Sequence, residues 1–299
     1  MTNANLGFIG LGVMGEPMCS NLIRKSGRTV HVYDMNSAPV ERIAGIGGVP
    51  SLAIKNLAGN VEIVFLSLPS IAEVEAVCFG EDGLASPGAS VRIIVDTSTS
   101  DVQRSRLLAS RLRERGIRFI DAPVARLRKG AVEGTLLFMV GSDQSGLQDI
   151  QSLLQCMGTD IVPCGAVGNG QATKILNNMV MIMTVNALAE ALAIGRKSGV
   201  DGETLFKVFG LGSANSFVLQ NQARTALLPD AFPEGIFPTT YAIKDVGLAL
   251  ELARNAQVYA RGAEQTHSIL EQTRDAGFAT HYYPIMIKLI EQGVVPASI

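Results

Sequence analysis

The chain has 299 residues, 47% apolar and 17% charged, with a formal charge of −2 at pH 7. That length supports two domains and a large core, and the charge balance excludes the basic excess that nucleic-acid or anionic-membrane surfaces require. Cys19, Cys78, Cys156 and Cys164 are scattered, with no C-x-x-C pair and no His at metal spacing, which predicts reduced thiols, a cytoplasmic setting and no metal.

In chain order, the first predicted strand, 6–9, runs into Gly7-Phe8-Ile9-Gly10-Leu11-Gly12-Val13-Met14-Gly15. The apolar stretch at the N-terminus is therefore read as a strand and not as a signal segment. The glycines stand in G-x-G-x-x-G spacing. Gly10 allows the tight turn, Gly12 lets backbone approach a pyrophosphate, and Gly15 lets the next helix pack on the strand. Pro17 suits the helix start, where its missing N–H costs little. The second strand, 29–33, ends at Asp34, at the distance where a carboxylate meets the ribose hydroxyls of NAD and repels a 2′-phosphate. NAD is the expected cofactor, with NADP the weaker alternative because Asn36 and Ser37 follow.

Further strands are expected at 61–68, 91–96, 118–120 and 136–140, separated by helical stretches. Several are continuous apolar runs, as parallel strands covered on both faces should be. The expected fold is α/β: a doubly wound Rossmann-type domain over 1–163, then an all-helical domain over 164–299 that binds substrate and mediates oligomerisation. A long interdomain helix is expected from Gln171 to about Lys197, closed by Gly199. Asn186 and Glu190 interrupt its apolar run, so it reads as a buried core helix and not a membrane span. Its wide apolar surface predicts a homodimer or homotetramer through the helical half.

The chemistry is expected at the start of this helix, in Gly170-Gln171-Ala172-Thr173-Lys174-Ile175-Leu176-Asn177-Asn178. Lys174 and Asn178 are four apart and share one helical face. A Lys among apolar residues is either a surface charge or, if desolvated, a proton donor and acceptor near neutrality; spacing leaves both readings open.

Together with Leu68-Pro69, Asp96-Thr97-Ser98-Thr99, Asp121-Ala122-Pro123-Val124, Gly134-Thr135-Leu136 and Lys244-Asp245, these motifs make the chain resemble the β-hydroxyacid dehydrogenase family along essentially its whole length. The resemblance implies that Lys174 is the catalytic acid/base and that Asn178 fixes the substrate, with Ser98 and Ala125 beside it. It also implies that Leu11, Val13, Met14, Leu68, Pro69, Val74 and Thr99 line the cofactor, and that Lys244 closes over its nicotinamide side. The family pattern continues Asp-Ala-Pro-Val with Ser-Gly-Gly, whereas this chain reads Ala125-Arg126-Leu127-Arg128-Lys129. An Arg at the position of Arg126 resembles the sulfolactaldehyde reductase branch, and a guanidinium there can fork a carboxylate, sulfonate or phosphate. Arg128 and Lys129 read as solvated.

The expected substrate is a small anionic 3-hydroxy acid or hydroxy-sulfonate and its aldehyde, with sulfolactaldehyde the sharpest candidate. The alternatives are 3-hydroxyisobutyrate and the tartronate, succinic semialdehyde or glyoxylate reductions. An NADPH-dependent reductase is opposed by Asp34, and an imine reductase by Lys174. A non-catalytic NAD-binding interaction module is the reading from another class, and Lys174 with Asn178 counts against it.

Overall fold

The protein was analysed as a computed structural model that describes residues 4–293. It divides into two compact units, Met1–Lys174 and Ile175–Ile299. In unit 1 the strands are β1 (Leu6–Ile9), β2 (Val30–Tyr33), β3 (Val49–Pro50), β4 (Ile63–Leu66), β5 (Ile93–Asp96), β6 (Arg118–Asp121), β7 (Val124–Ala125), β8 (Leu136–Gly141) and β9 (Gly158–Gly165). The helices between them are α1 (Gly15–Ser26), α2 (Ser37–Ala44), α3 (Ile54–Ala58), α4 (Ile71–Phe79), α5 (Val102–Arg113), α6 (Leu127–Glu133) and α7 (Gln144–Leu154).

The sheet order is β3-β2-β1-β4-β5-β6-β8-β7, with β9 paired to β8. Its first six strands are parallel and reproduce the 3-2-1-4-5-6 order of the dinucleotide fold, whose crevice opens where β1 and β4 diverge. Side chains alternate across the sheet, as the period of two requires. Leu6, Phe8, Ile63 and Phe65 join one buried cluster with Met18 and Leu22 of α1 and Ile150 of α7. Ile9, Val64 and Leu66 join another with Leu57, Val74 and Leu108, from α3, α4 and α5. Burial on both faces explains why these strands read as unbroken apolar runs.

Beyond β6 the sheet changes direction. β8 runs antiparallel to β6, the two pairing in register at Asp121 and Gly141. Because that pair lies at the carboxyl ends of both strands, the rest of β8, with β7 and β9, extends past the carboxyl ends of the parallel strands. β7 and β9, like the short β3, are not expected from the sequence. β9 (Gly-Thr-Asp-Ile-Val-Pro-Cys-Gly) is mostly exposed and carries Pro163, which an edge strand tolerates and a central strand does not.

Unit 2 is helical. It contains most of α8 (Asn169–Lys197), then α9 (Gly202–Leu211), α10 (Thr239–Asn255), α11 (Arg261–Thr273) and α12 (Ile287–Gln292), with π-helical turns over Leu219–Leu227 and Arg274–Phe278. Its core gathers Ile182, Val185, Leu192, Phe206, Val246 and Met286, with Tyr283 edge-on to Phe237 and Tyr282 at 5.3 and 5.4 Å. α8 is long and apolar enough to cross a membrane, yet its Ile182, Val185, Ala189 and Leu192 are buried in this core. It stops as expected. Gly199 adopts φ +80°, while the Val200 amide reaches back to the Gly195 carbonyl and the Gly199 amide to that of Arg196, at 2.9 and 3.2 Å.

The two units divide within α8 and not at 163/164. The reason is that the first turn of α8 is bonded into unit 1: Asp121 accepts the Gly168 and Gln171 amides, each at 2.8 Å.

Candidate active site

The glycine turn follows β1 at the sheet's divergence point. Gly10 takes φ +92°, and a Cβ there would overlap the Ser67 carbonyl, while one at Gly15 would overlap the Gly10 carbonyl. These two glycines are demanded by packing. A Cβ at Gly12 would meet nothing within 4 Å, so packing does not explain Gly12, and the open space beside its backbone fits a pyrophosphate. α1 begins at Met14 without a side-chain cap; the Glu16 amide is taken by the Gly12 carbonyl at 3.0 Å and Pro17 has no N–H, so phosphate oxygens would meet the amides of the turn that precedes them. The side chains of Leu11 and Met14 are spent on the core, Leu11 at 2% exposure; they serve the turn through their backbone. Val13 is exposed.

Asp34 ends β2 beside this turn. Its carboxylate accepts the Leu11 amide at 2.6 Å and the Asn36 amide at 2.8 Å, so it braces the glycine turn as well as standing where a ribose would bind. Sequence reading missed the pair beside it. Glu16, in the first turn of α1, would repel a pyrophosphate, but Arg42 of α2 forks it through Nε and Nη2 at 2.7 and 2.8 Å. That fork holds the Glu16 carboxyl below the usual carboxylate range. Nothing in the sequence signals a pair 26 residues apart.

The loops after β4 and β5 come next along the same edge. The Leu68 amide donates to Ser98 Oγ at 2.9 Å, and the Ser98 amide to Asp96 at 3.0 Å. Ser98 is buried and its backbone carbonyl accepts Gln171 Nε2 at 2.8 Å. Its hydroxyl thus ties the two loops together. Pro69 is exposed and Leu68 and Thr99 half-buried on these loops. Val74 is fully buried in the α4 core. Its side chain packs into the core beneath the loop after β4.

The Ala125–Lys129 segment lies on the extension beyond the carboxyl ends. Ala125 ends β7, half-buried. Arg126 and Leu127 both have left-handed backbones, φ 89° and 57°, which explains the family's Gly-Gly: the turn asks for residues without a Cβ. Each non-glycine there costs roughly 1–2 kcal/mol. The Arg126 guanidinium bonds through Nη1 to the Thr135 carbonyl at 2.8 Å, to Thr159 Oγ1 at 2.9 Å and to Asp160 at 2.7 Å. All three contacts fall on one nitrogen, so among the described residues they leave the Nε and Nη2 edge without a hydrogen bond. Arg128 and Lys129 are exposed, as expected.

Lys174 is half-buried on α8, one turn before Asn178. In unit 2, Asn178 is 4% exposed and donates through Nδ2 to Asp245 at 2.6 Å. Lys244 of α10 lies 3.4 Å from the other Asp245 oxygen and 5.8 Å from the centre of the Tyr241 ring. Asp245, buried at 3% exposure, thus gathers two of the predicted site residues. Its one signal in the sequence is its place as the acidic neighbour of Lys244. No group of His, Cys, Asp and Glu that could hold a metal occurs among the described residues.

Residues 5–168 match the family model of the NAD binding domain of 6-phosphogluconate dehydrogenase, and residues 168–290 that of the NAD-binding domain of NADP-dependent 3-hydroxyisobutyrate dehydrogenase. The chain is 34% identical over 287 residues to 2-(hydroxymethyl)glutarate dehydrogenase of Eubacterium barkeri, covering 96% of this chain and 95% of that one. It is 32% identical over 279 residues to the mitochondrial 3-hydroxyisobutyrate dehydrogenase of Rattus norvegicus, covering 92% and 83%. The solved 3-hydroxyisobutyrate dehydrogenase of Mycobacterium tuberculosis, described with L-serine, superposes with a TM-score of 0.86 at 29% identity, covering 96% of this chain and 99% of that one. With its glycine turn, its Lys and Asn on one helix and these relatives along its whole length, the chain belongs to the β-hydroxyacid dehydrogenase family of NAD(P)-dependent oxidoreductases.

Proposed function

We propose that the protein interconverts a small anionic 3-hydroxy acid, or hydroxy-sulfonate, and its aldehyde, with Lys174 moving the proton. The observation that carries this reading is Lys174 and Asn178 one turn apart on α8, with Asn178 buried and held by Asp245 at 2.6 Å. Gly10 to Gly15 and Asp34 would hold the dinucleotide, with Leu68, Pro69 and Thr99 at its edge. Bound NAD supplies the two-electron acceptor or donor. In reduction, the Lys174 ammonium gives its proton to the carbonyl oxygen; in oxidation, the neutral amine takes the hydroxyl proton. Asn178 orients that oxygen, and Asp245, tied to both Asn178 and Lys244, keeps the amide from turning. General acid–base help of this kind contributes roughly 10²- to 10⁴-fold. Lys174→Ala is therefore expected to lose at least 10²-fold in turnover while binding NADH normally; near-normal turnover refutes the assignment.

For the substrate's anionic head we favour Arg126. Its Nη1 is anchored by Asp160 and Thr159, which immobilises the side chain and leaves the Nε/Nη2 edge for a forked anion. Sulfolactaldehyde is the sharpest candidate. 3-Hydroxyisobutyrate is the second reading, favoured by the relatives' names. A panel of sulfolactaldehyde, tartronate semialdehyde and 3-hydroxyisobutyrate with NAD(H) and NADP(H) separates them. Arg126→Ala should weaken the specificity constant for a sulfonated substrate roughly 10- to 100-fold, since bonds to charged groups contribute ~1.5–3 kcal/mol. An unchanged constant rejects the role. The exposed Leu176, Val180 and Ile194 of α8 support the reading of a homodimer or homotetramer, which light scattering tests.

A further inference from the structure

The first turn of α8 is held in an unusual way. A helix leaves its first four amides without internal partners, and a neighbouring Ser, Thr, Asp or Asn normally supplies the cap. Here the cap comes from Asp121, the last residue of β6. Its two carboxylate oxygens accept the Gly168 and Gln171 amides at 2.8 Å each. The carboxylate is fully buried and tightly walled. A Cβ on Gly141 would overlap it, and one on Gly170 would come within 2.8 Å of Oδ2. Two glycines are thus given up so that the helix start can close on one acid.

The second hold is Gln171, at 0% exposure. Its Nε2 donates to the Ser98 carbonyl at 2.8 Å, and its Oε1 accepts the Ser100 amide at 2.9 Å. That loop is tied in turn to Asp96, which accepts the Ser98 amide at 3.0 Å and the Ser100 hydroxyl at 3.2 Å. Asp121 fixes the height of the helix start over the sheet. The two-point grip of Gln171 fixes its rotation about the axis. Lys174 follows Gln171 by three residues, one turn along.

We propose that Asp121 and Gln171 are positioning residues for Lys174, setting the height and phase of α8 so that the ammonium is presented at one place. The inference rests on the reading of Lys174 as the proton donor. Side chains reach a radius of about 5–6 Å from a helix axis, so a rotation of about 10° carries a side-chain group about 1 Å. Misplacement of that size costs up to ~100-fold in rate.

The test is a double-mutant cycle. Gln171→Met keeps volume and helix propensity while removing both hydrogen bonds. It is expected to lower kcat roughly 10- to 100-fold with the Kd for NADH within about twofold of the parent, and Asp121→Asn, where it folds, to do the same. In the Lys174→Ala background, Gln171→Met is expected to change the residual turnover by less than about twofold, because a residue that acts only through Lys174 has nothing left to position. Equal losses in both backgrounds, or an unchanged kcat in the single variant, overturn the proposal while leaving Lys174's role standing. Full turnover of Lys174→Ala overturns both.

Discussion

Gly12→Ala separates binding from folding at the glycine turn. An added Cβ meets nothing within 4 Å and the residue's φ lies outside the left-handed region, so the folded state accepts Ala without strain. The loss of unfolded-chain freedom should then stabilise the protein by about 0.4–1 kcal/mol. The same methyl stands where the backbone must approach a pyrophosphate. Losing one charge-assisted amide–phosphate bond costs about 1.5–3 kcal/mol, which is roughly 10- to 100-fold in Kd. Stability and affinity are thus expected to move in opposite directions. At Gly10 and Gly15 the Cβ would overlap backbone carbonyls, so Ala there should cost several kcal/mol of stability, from overpacking at both and left-handed strain at Gly10 besides. Because the chain has no Trp, NADH's own fluorescence reports binding cleanly, and urea unfolding reports stability. A Gly12→Ala protein that binds NADH as tightly as the parent would refute the placement of the pyrophosphate.

Three further outcomes follow from other sites. Asp34→Asn should weaken NAD while narrowing the preference over NADP, because it removes the charge that repels a 2′-phosphate; titration with both cofactors checks this, and an unchanged ratio counts against the role. Gly199→Ala should cost ~1–2 kcal/mol in urea unfolding, since φ is +80° while nothing crowds the Cβ, and Gly199→Asn should cost less. Asp96 is buried and its pKa is raised to about 6, chiefly by desolvation. A carboxyl whose folded pKa lies above its unfolded value binds its proton more tightly in the folded state, so its stabilising effect is full below about pH 4 and is lost as pH rises through 6. Unfolding free energies of the parent and Asp96→Asn should therefore diverge between pH 4 and 6.5 by up to about 3 kcal/mol. Parallel pH profiles would contradict the burial argument.

Much of the architecture was legible because it rests on local rules. β1 was read at its observed bounds and the other five expected strands within one to two residues at each end, since apolar runs covered on both faces leave a strong periodic signal. The stop at Gly199 was visible because only glycine accepts that backbone cheaply. β9 was invisible: an exposed edge strand has no buried face to write a pattern, and Pro163 argued against it. The site divides in the same way. Gly10, Gly12, Gly15 and Asp34 stand out by their fixed spacing, whereas the helical spacing of Lys174 and Asn178 leaves a surface reading open, and only the family resemblance singles them out.

What the linear chain determined, then, is whatever short-range geometry enforces: strand and helix periods, the glycine turn, and the shared face of Lys174 and Asn178. Only the tertiary structure decided the partnerships. These include the Arg42 fork that neutralises Glu16, the Asp160 anchor on Arg126, the Asp245 grip on Asn178, and the Asp121 cap that binds the first turn of α8 into the nucleotide-binding unit. Each joins residues 26 to 67 positions apart. A hydrogen bond across such a separation depends on where the fold carries its two ends, and no spacing rule along the chain encodes that.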